Sequence, residues 1–231
     1  MSDFQYMGTD TLEIMEEAKN YNAFLEKLVL KYASPRKEAS LLDIGAGIGT
    51  FAKKISLTHP NIHCIEPDIV QSQQIEKLNL PVDTTIENIK NNSVDFIYAL
   101  NVLEHIKNDQ DAVKIWVEKL KPGGRIFIYV PAFQILYSAF DKSVEHCRRY
   151  NKAMLVDIFK NNNLQIGEAK YVDSIGFFVA LIYKWIYKNG KINVKSLIIY
   201  DRFLFPISRL CDILFHKLFG KNVYIVGKKI S

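Results

Sequence analysis

The chain has 231 residues, 48% hydrophobic, 24% charged and 12% aromatic, which is enough apolar material to bury a full core in one folding unit. Cys64, Cys147 and Cys211 stand far apart with no C-x-x-C pair, which argues against a disulfide framework or a zinc site and for a reducing, cytoplasmic setting. No apolar run reaches about 18 residues, and the first ten residues lack a basic region followed by an apolar one, so neither a membrane span nor a signal peptide is expected.

The net charge of +5 is unevenly spread: from Tyr171 onward ten Lys and Arg face three acids, Asp173, Asp201 and Asp212, so the first 170 residues sum to about −2. In chain order, residues 11–32 read as a helix, followed by a strand at 40–44, a helix at 50–57, a strand at 61–65 and a helix at 69–77. A strand at 94–100, a helix at 109–120, a turn at 120–124 and a strand at 125–130 come next. A helix at 152–159 and strands at 165–172 and 222–226 complete the pattern. Short β-branched runs alternating with amphipathic stretches predict an α/β domain on a mostly parallel sheet. Residues 174–221 break that rhythm and predict a helical insertion between the last two strands.

The run Leu41-Leu42-Asp43-Ile44-Gly45-Ala46-Gly47-Ile48-Gly49-Thr50-Phe51 is a buried strand entering a glycine-rich turn and then a helix. A lone G-x-G is weak, but here the spacing is G-x-G-x-G, and Thr50 stands where a dinucleotide fingerprint wants its third glycine or an alanine. Asp43, two residues before Gly45, would repel a pyrophosphate and attract a sulfonium or ammonium. Twenty-one residues after Gly45, Glu66 ends the next strand, placed to accept hydrogen bonds from ribose hydroxyls.

With these residues in view, the first 170 residues resemble the class I S-adenosylmethionine (SAM) dependent methyltransferases. Four motifs carry the resemblance: Asp43 to Gly49, Cys64 to Asp68, Val94 to Ile106, and the turn and strand from Leu120 to Pro131. It implies a Rossmann-like fold with a seven-stranded mostly parallel sheet flanked by helices, SAM as cofactor, and residues 1–231 as a single domain with a covering helix at about 10–33. It further implies that the backbone of Gly45, Ala46 and Gly47 holds the methionine part, that Glu66 and Pro67 flank the ribose, and that Thr85 and Ile86 surround the adenine. Asn101 would lie beneath the sulfonium, while Gly49, Thr50 and Phe51 complete the turn into the following helix.

On the acceptor side, His146 falls in Asp141-Lys142-Ser143-Val144-Glu145-His146-Cys147-Arg148-Arg149-Tyr150, similar to a D-x-x-x-G-H-x-R-R-Y stretch in bacterial relatives associated with surface glycans and lipid-linked sugars, with Glu145 replacing the glycine. A histidine suits a general base for a hydroxyl acceptor, and Arg148 and Arg149 suit either ion pairing or an acidic group such as a phosphate. Tyr21 and His105 are further candidates. Some quinone-ring methyltransferases bind metal through Glu-x-x-Glu-His, but Asn101 stands where the first Glu would be, so no metal is expected. The acceptor is expected to be a small or lipid-linked glycan methylated at oxygen. A quinone or polyketide-like phenol is the alternative, and a noncatalytic membrane-surface protein is the rival outside enzymes. The basic, aromatic insertion suggests a lid or acceptor pocket, with peripheral contact to a membrane surface. Its interleaved charge argues against nucleic acid.

Overall fold

The computed structural model describes residues 9–186 and 193–230. Its strands are β1 (Leu41–Ile44), β2 (Ile62–Ile65), β3 (Val82–Asp83), β4 (Val94–Leu100), β5 (Leu120–Pro131), β6 (Leu164–Val172) and β7 (Asn222–Lys229). They form one sheet in the order β3-β2-β1-β4-β5-β7-β6, parallel except for β7, which runs antiparallel to both neighbours. The helices are α1 (Thr9–Glu16), α2 (Lys19–Tyr32), α3 (Thr50–Ser56), α4 (Ile69–Lys77), α5 (Asp109–Lys119), α6 (Ala139–Ser143), α7 (Lys152–Asn161), α8 (Ser174–Ile186), α9 (Val194–Ile199) and α10 (Phe205–Phe215), with a π-helical turn at Tyr200–Leu204.

Both faces of the sheet are covered, which is why its strands read as continuous apolar runs. Along β4 successive side chains alternate. Phe96 and Tyr98 join Leu25, Val29, Ile55 and Ile75 from α2, α3 and α4, whereas Ile97 and Ala99 join Val113, Trp116, Leu155 and Phe159 from α5 and α7. Side-chain caps start several helices: Asp68 accepts from the Gln71 N–H at 3.0 Å, and Asn151 from the Met154 N–H at 2.9 Å. The order of strands reverses direction between β1 and β4, so a crevice opens at their carboxyl ends.

The expected α/β class, the mostly parallel sheet and the insertion between the last two strands are all present. Two local expectations are corrected. β3 escaped the sequence because only two residues pair there. The single helix expected over 11–32 is broken, since Ala18 is buried with a non-helical ψ of 67°, and the Asn22 amide donates to the Met15 carbonyl at 2.9 Å, taking one of the last carbonyls of α1.

The break leaves α2 without a side-chain cap of its own. The insertion supplies one. Asp201, buried in the π-helical turn, accepts the N–H groups of Asn20 at 2.9 Å and Tyr21 at 2.8 Å. A carboxylate at a helix start satisfies orphan donors and complements the helix dipole. Asp201→Ala is therefore expected to cost about 2 kcal/mol of unfolding free energy. Urea denaturation reads the difference, and a change below about 0.5 kcal/mol would contradict the cap.

Candidate cofactor and acceptor site

The glycine turn follows β1 and lies at the crevice. Gly45 has φ +66°, and a Cβ there would sit 2.5 Å from a Val102 methyl, so both conformation and space demand glycine. At Gly47, φ is +58° and a Cβ would lie 3.2 Å from Leu12 of α1, which places the N-terminal helix directly over the turn. Thr50, at the start of α3, donates to Glu16 of α1 at 2.9 Å. α1 thus lies over the turn.

Two buried acids flank the turn. Glu66 accepts the Gly47 N–H through Oε2 at 2.7 Å and the Asp68 N–H through Oε1 at 3.0 Å, which ties the end of β2 to the turn after β1. Asp43 sits inside β1, 3% exposed, and accepts a hydrogen bond from the Tyr98 hydroxyl at 2.7 Å. Burial pushes the Asp43 carboxyl up to about 8 against the opposing Tyr98 hydrogen bond, and pushes Glu66 up to about 7 despite its backbone donors. Each acid is thus held where a cationic or hydroxyl-bearing ligand would favour its charged form. Pro67 is exposed beside Glu66, and Ala46 and Phe51 are half-buried against the α2 side of the sheet.

Asn101 follows β4 with φ +55° and is exposed at the mouth of the crevice. Tyr21, on the first turn of α2, faces Asn101 and Tyr129, and burial raises its phenol far above the ordinary range. Thr85 caps the short turn Ile86–Asn88 after β3, and Ile86 packs against the core rather than standing free. Tyr98, Tyr129 and Leu12 were not singled out from the sequence, because each reads as an ordinary core position.

The second group of polar residues surrounds His146. Its Nδ1 lies 2.8 Å from Asp141 Oδ1, and its Nε2 lies 3.8 Å from Glu104 Oε1. Asp141 is fully buried and also receives Arg149 Nε at 2.8 Å and Nη2 at 3.0 Å. Burial would raise Asp141, but His146 and Arg149 outweigh it and hold the carboxyl at about 2. Glu104 has no exposed surface and neither of its carboxylate oxygens has a hydrogen-bond partner; burial lifts it to about 8. His105 stacks edge-on against His146 with ring centroids 4.6 Å apart, and burial together with His146 lowers it to about 4. Single donor atoms of Glu104, His105 and His146 lie within 4.8 Å of one another, close enough for one cation to bridge. Asn101 stands where the first Glu of a metal motif would be, but the third donor of this grouping comes from the loop after β5.

Arg148 and Arg149 are both occupied within the protein. Arg148 reaches Asp109 and the Lys107 carbonyl, and Arg149 reaches Asp141. Of the two uses that suited them, ion pairing is the one seen, and neither guanidinium is left free for a phosphate. Glu145 adopts φ +61°, so the position where the related stretch carries glycine keeps a left-handed backbone here.

The sequence profile of the methyltransferase domain family matches residues 16–169, two thirds of the chain. The chain belongs to that family. It is a class I SAM-dependent methyltransferase, and SAM is its cofactor. Among curated relatives, a ubiquinone biosynthesis O-methyltransferase of Rickettsia bellii is 24% identical over 202 residues, covering 75% of this chain and 79% of the relative. The enzyme of that name from Rickettsia typhi is 30% identical over 168 residues, covering 63% and 68%. Among solved structures, Haemonchus contortus phosphoethanolamine N-methyltransferase 2 bound to S-adenosylhomocysteine superposes with a TM-score of 0.62 at 17% identity; it covers 90% of this methyltransferase, which spans 53% of that longer chain. At that identity the likeness shows the fold alone.

The Asp141 cluster has a measurable consequence for the methyltransferase. Asp141→Ala leaves Arg149 as a buried, uncompensated cation and removes the box that starts α6, so a loss of about 3 kcal/mol is expected. Equilibrium denaturation reads it, and a loss under about 1 kcal/mol would contradict the pairing.

Proposed function

We propose that residues 1–231 act as one catalytic unit in the cytoplasm, transferring a methyl group from SAM to a hydroxyl oxygen of a small aromatic acceptor of quinone or polyketide-like character. The carrying observation is the Asp141–His146 pair, whose Nε2 sits beside the segment leaving β4, 3.8 Å from Glu104 Oε1. Aromatic surroundings support a flat, apolar acceptor: Tyr21 packs edge-on against Tyr129 and Phe205 at centroid distances of 6.4 and 5.5 Å. The relatives are O-methyltransferases named for ubiquinone biosynthesis, which supports oxygen as the attacked atom. A glycan carried on a polyprenyl phosphate is the weaker reading, since both arginines that suited a phosphate are engaged elsewhere.

SAM supplies a methyl group activated by its sulfonium. In this reading Asp43 faces the cationic methionine part, Gly45 to Gly47 and Gly49 present backbone to it, and Glu66 with Pro67 holds the ribose. Thr85 and Ile86 would border the adenine, Thr50 and Phe51 would close the turn, and Asn101 would hold the sulfonium side. The donor set fits, because a buried acid raised to about 8 is stabilised by an adjacent cation. Tyr21 positions the acceptor. His146, oriented through Nδ1 by Asp141, would take the acceptor's hydroxyl proton at Nε2 as that oxygen receives the methyl group that SAM supplies. His105, held neutral, packs the His146 ring in place.

A second reading rests on the partnerless Glu104 carboxylate: a divalent cation on Glu104, His105 and His146 would polarise the hydroxyl in place of a base. His146→Ala is expected to lower kcat by about 10² to 10⁴ with SAM affinity unchanged, and activity is expected to survive exhaustive chelation. Near wild-type turnover in the variant removes the base role, and activity lost on chelation and restored by metal moves it to the cation.

The buried acids predict a pH dependence for the cofactor. Asp43 and Glu66 rest near 8 and 7, so below those values binding that needs their charge must displace protons, and SAM affinity should rise between about pH 6 and 8 by up to about tenfold per pH unit for each acid ionised. Asp43→Asn should weaken binding and flatten the slope. Calorimetry across that range decides it, and wild-type affinity independent of pH would contradict the role of Asp43.

A further inference from the structure

The helices of the insertion are built inside out. On α10 the buried positions are Phe205, Ser208 and Asp212, whereas Leu210, Ile213 and Leu214 are 67, 70 and 75% exposed. On α8 the buried positions are Ser174 and Gly176, and Phe178, Ile182, Trp185 and Ile186 form an outward stripe at helical spacing. The two helices meet through polar atoms: the Ile175 N–H donates to Ser208 Oγ at 2.9 Å, and Asp212 accepts the N–H groups of Asp173 and Ser174, each at 2.8 Å. Large contiguous apolar surface of this kind marks a contact site.

Charge says what the contact is. All three acids after Tyr171 are turned inward: Asp201 caps α2, Asp212 caps α8, and Asp173 accepts from Gly176 N–H and Ser208 Oγ at 3.1 and 2.8 Å. No acid of the described insertion is therefore presented to solvent, while Lys195, Arg202 and Lys217 are exposed. An apolar stripe whose own helices present cations and no acid to solvent suits an anionic lipid surface, where rings and aliphatic chains enter the headgroup layer and lysines meet phosphates. A second copy docked on the same face would bring like charges together.

We propose that α8, α9 and α10 form a docking surface for the headgroup layer of an anionic bilayer, from which the methyltransferase takes its acceptor. The surface is joined to the reaction site through Asp201, which holds the first turn of α2 at Tyr21. The inference deepens the proposed function by naming the source of an apolar acceptor, yet docking itself requires neither SAM nor turnover.

The test is co-sedimentation of the full chain with vesicles of phosphatidylcholine alone and of phosphatidylcholine with about 30% phosphatidylglycerol. Partition is expected to be at least about tenfold greater on the anionic vesicles and to fall when salt is raised to about 0.5 M. The double variant Leu210→Ser and Leu214→Ser, altering exposed positions only, should lose partition while keeping its thermal transition and SAM affinity. Arg202→Glu with Lys217→Glu should lose the preference for anionic lipid. Wild-type partition in the serine variant would overturn the proposal. So would a lipid-free dimer in analytical ultracentrifugation that the serine variant dissociates, since that assigns the face to a second copy. Calorimetry with SAM on the same samples reads the methyltransferase site separately.

Discussion

Two carboxyl groups are buried where burial works against their charge. Asp43 within β1 and Glu66 at the end of β2 sit on either side of a turn whose glycines hold left-handed backbone, and the Gly47 N–H donates to Glu66. A parallel sheet imposes this arrangement, because its strands deliver their carboxyl ends to one edge and the reversal between β1 and β4 keeps that edge open. Leaving a carboxyl buried without a cation costs free energy, which appears here as the upward displacement of both acids. In the proposed reading the cofactor's positive charge would remove part of that cost, and binding energy and specificity against phosphate-bearing dinucleotides would share one origin.

The candidate cofactor half was legible in the sequence, as residues that the fold brings to one edge, because its signals are local. Asp43 precedes the glycines by two positions, Glu66 closes the next strand, and β-branched runs mark both strands. The acceptor half was only partly legible. Asp141 and His146 are five residues apart in one loop, but their joint meeting with Glu104, itself stripped of partners, depends on how that loop returns to the segment after β4. The Cys147 N–H donating to the Glu104 carbonyl at 2.7 Å and Tyr150 donating to the Leu103 carbonyl at 3.2 Å secure that return, and no periodicity announces such contacts. β3 was missed for a different reason: two paired residues carry no pattern.

The insertion shows the limit of amphipathic reasoning most clearly. Ile207, Leu210, Cys211, Leu214, Phe215 and Leu218 stand in the sequence at the spacing of one stripe, yet a stripe states that a helix has two faces and not which faces inward. Here Ser208 and Asp212 are the inner face, because Asp212 is needed to cap α8 and Ser208 is needed by Asp173. Satisfying buried backbone donors decided the orientation of the helix, and the apolar face was left outward. The same economy of acids makes Asp201 serve the first turn of α2, so the insertion and the N-terminal helices are held together at Tyr21.

The central claim is that the carboxyl ends of β1, β2 and β4 hold SAM with Glu66 on the ribose and the methyl directed toward Asn101 and the His146 side. A crystal structure of the S-adenosylhomocysteine complex tests it most directly. The account predicts both ribose hydroxyls within about 3 Å of the Glu66 carboxylate and the amino group beside Asp43. Adenosine bound away from Glu66, or a ligand seated with its sulfur turned from Asn101, would contradict it.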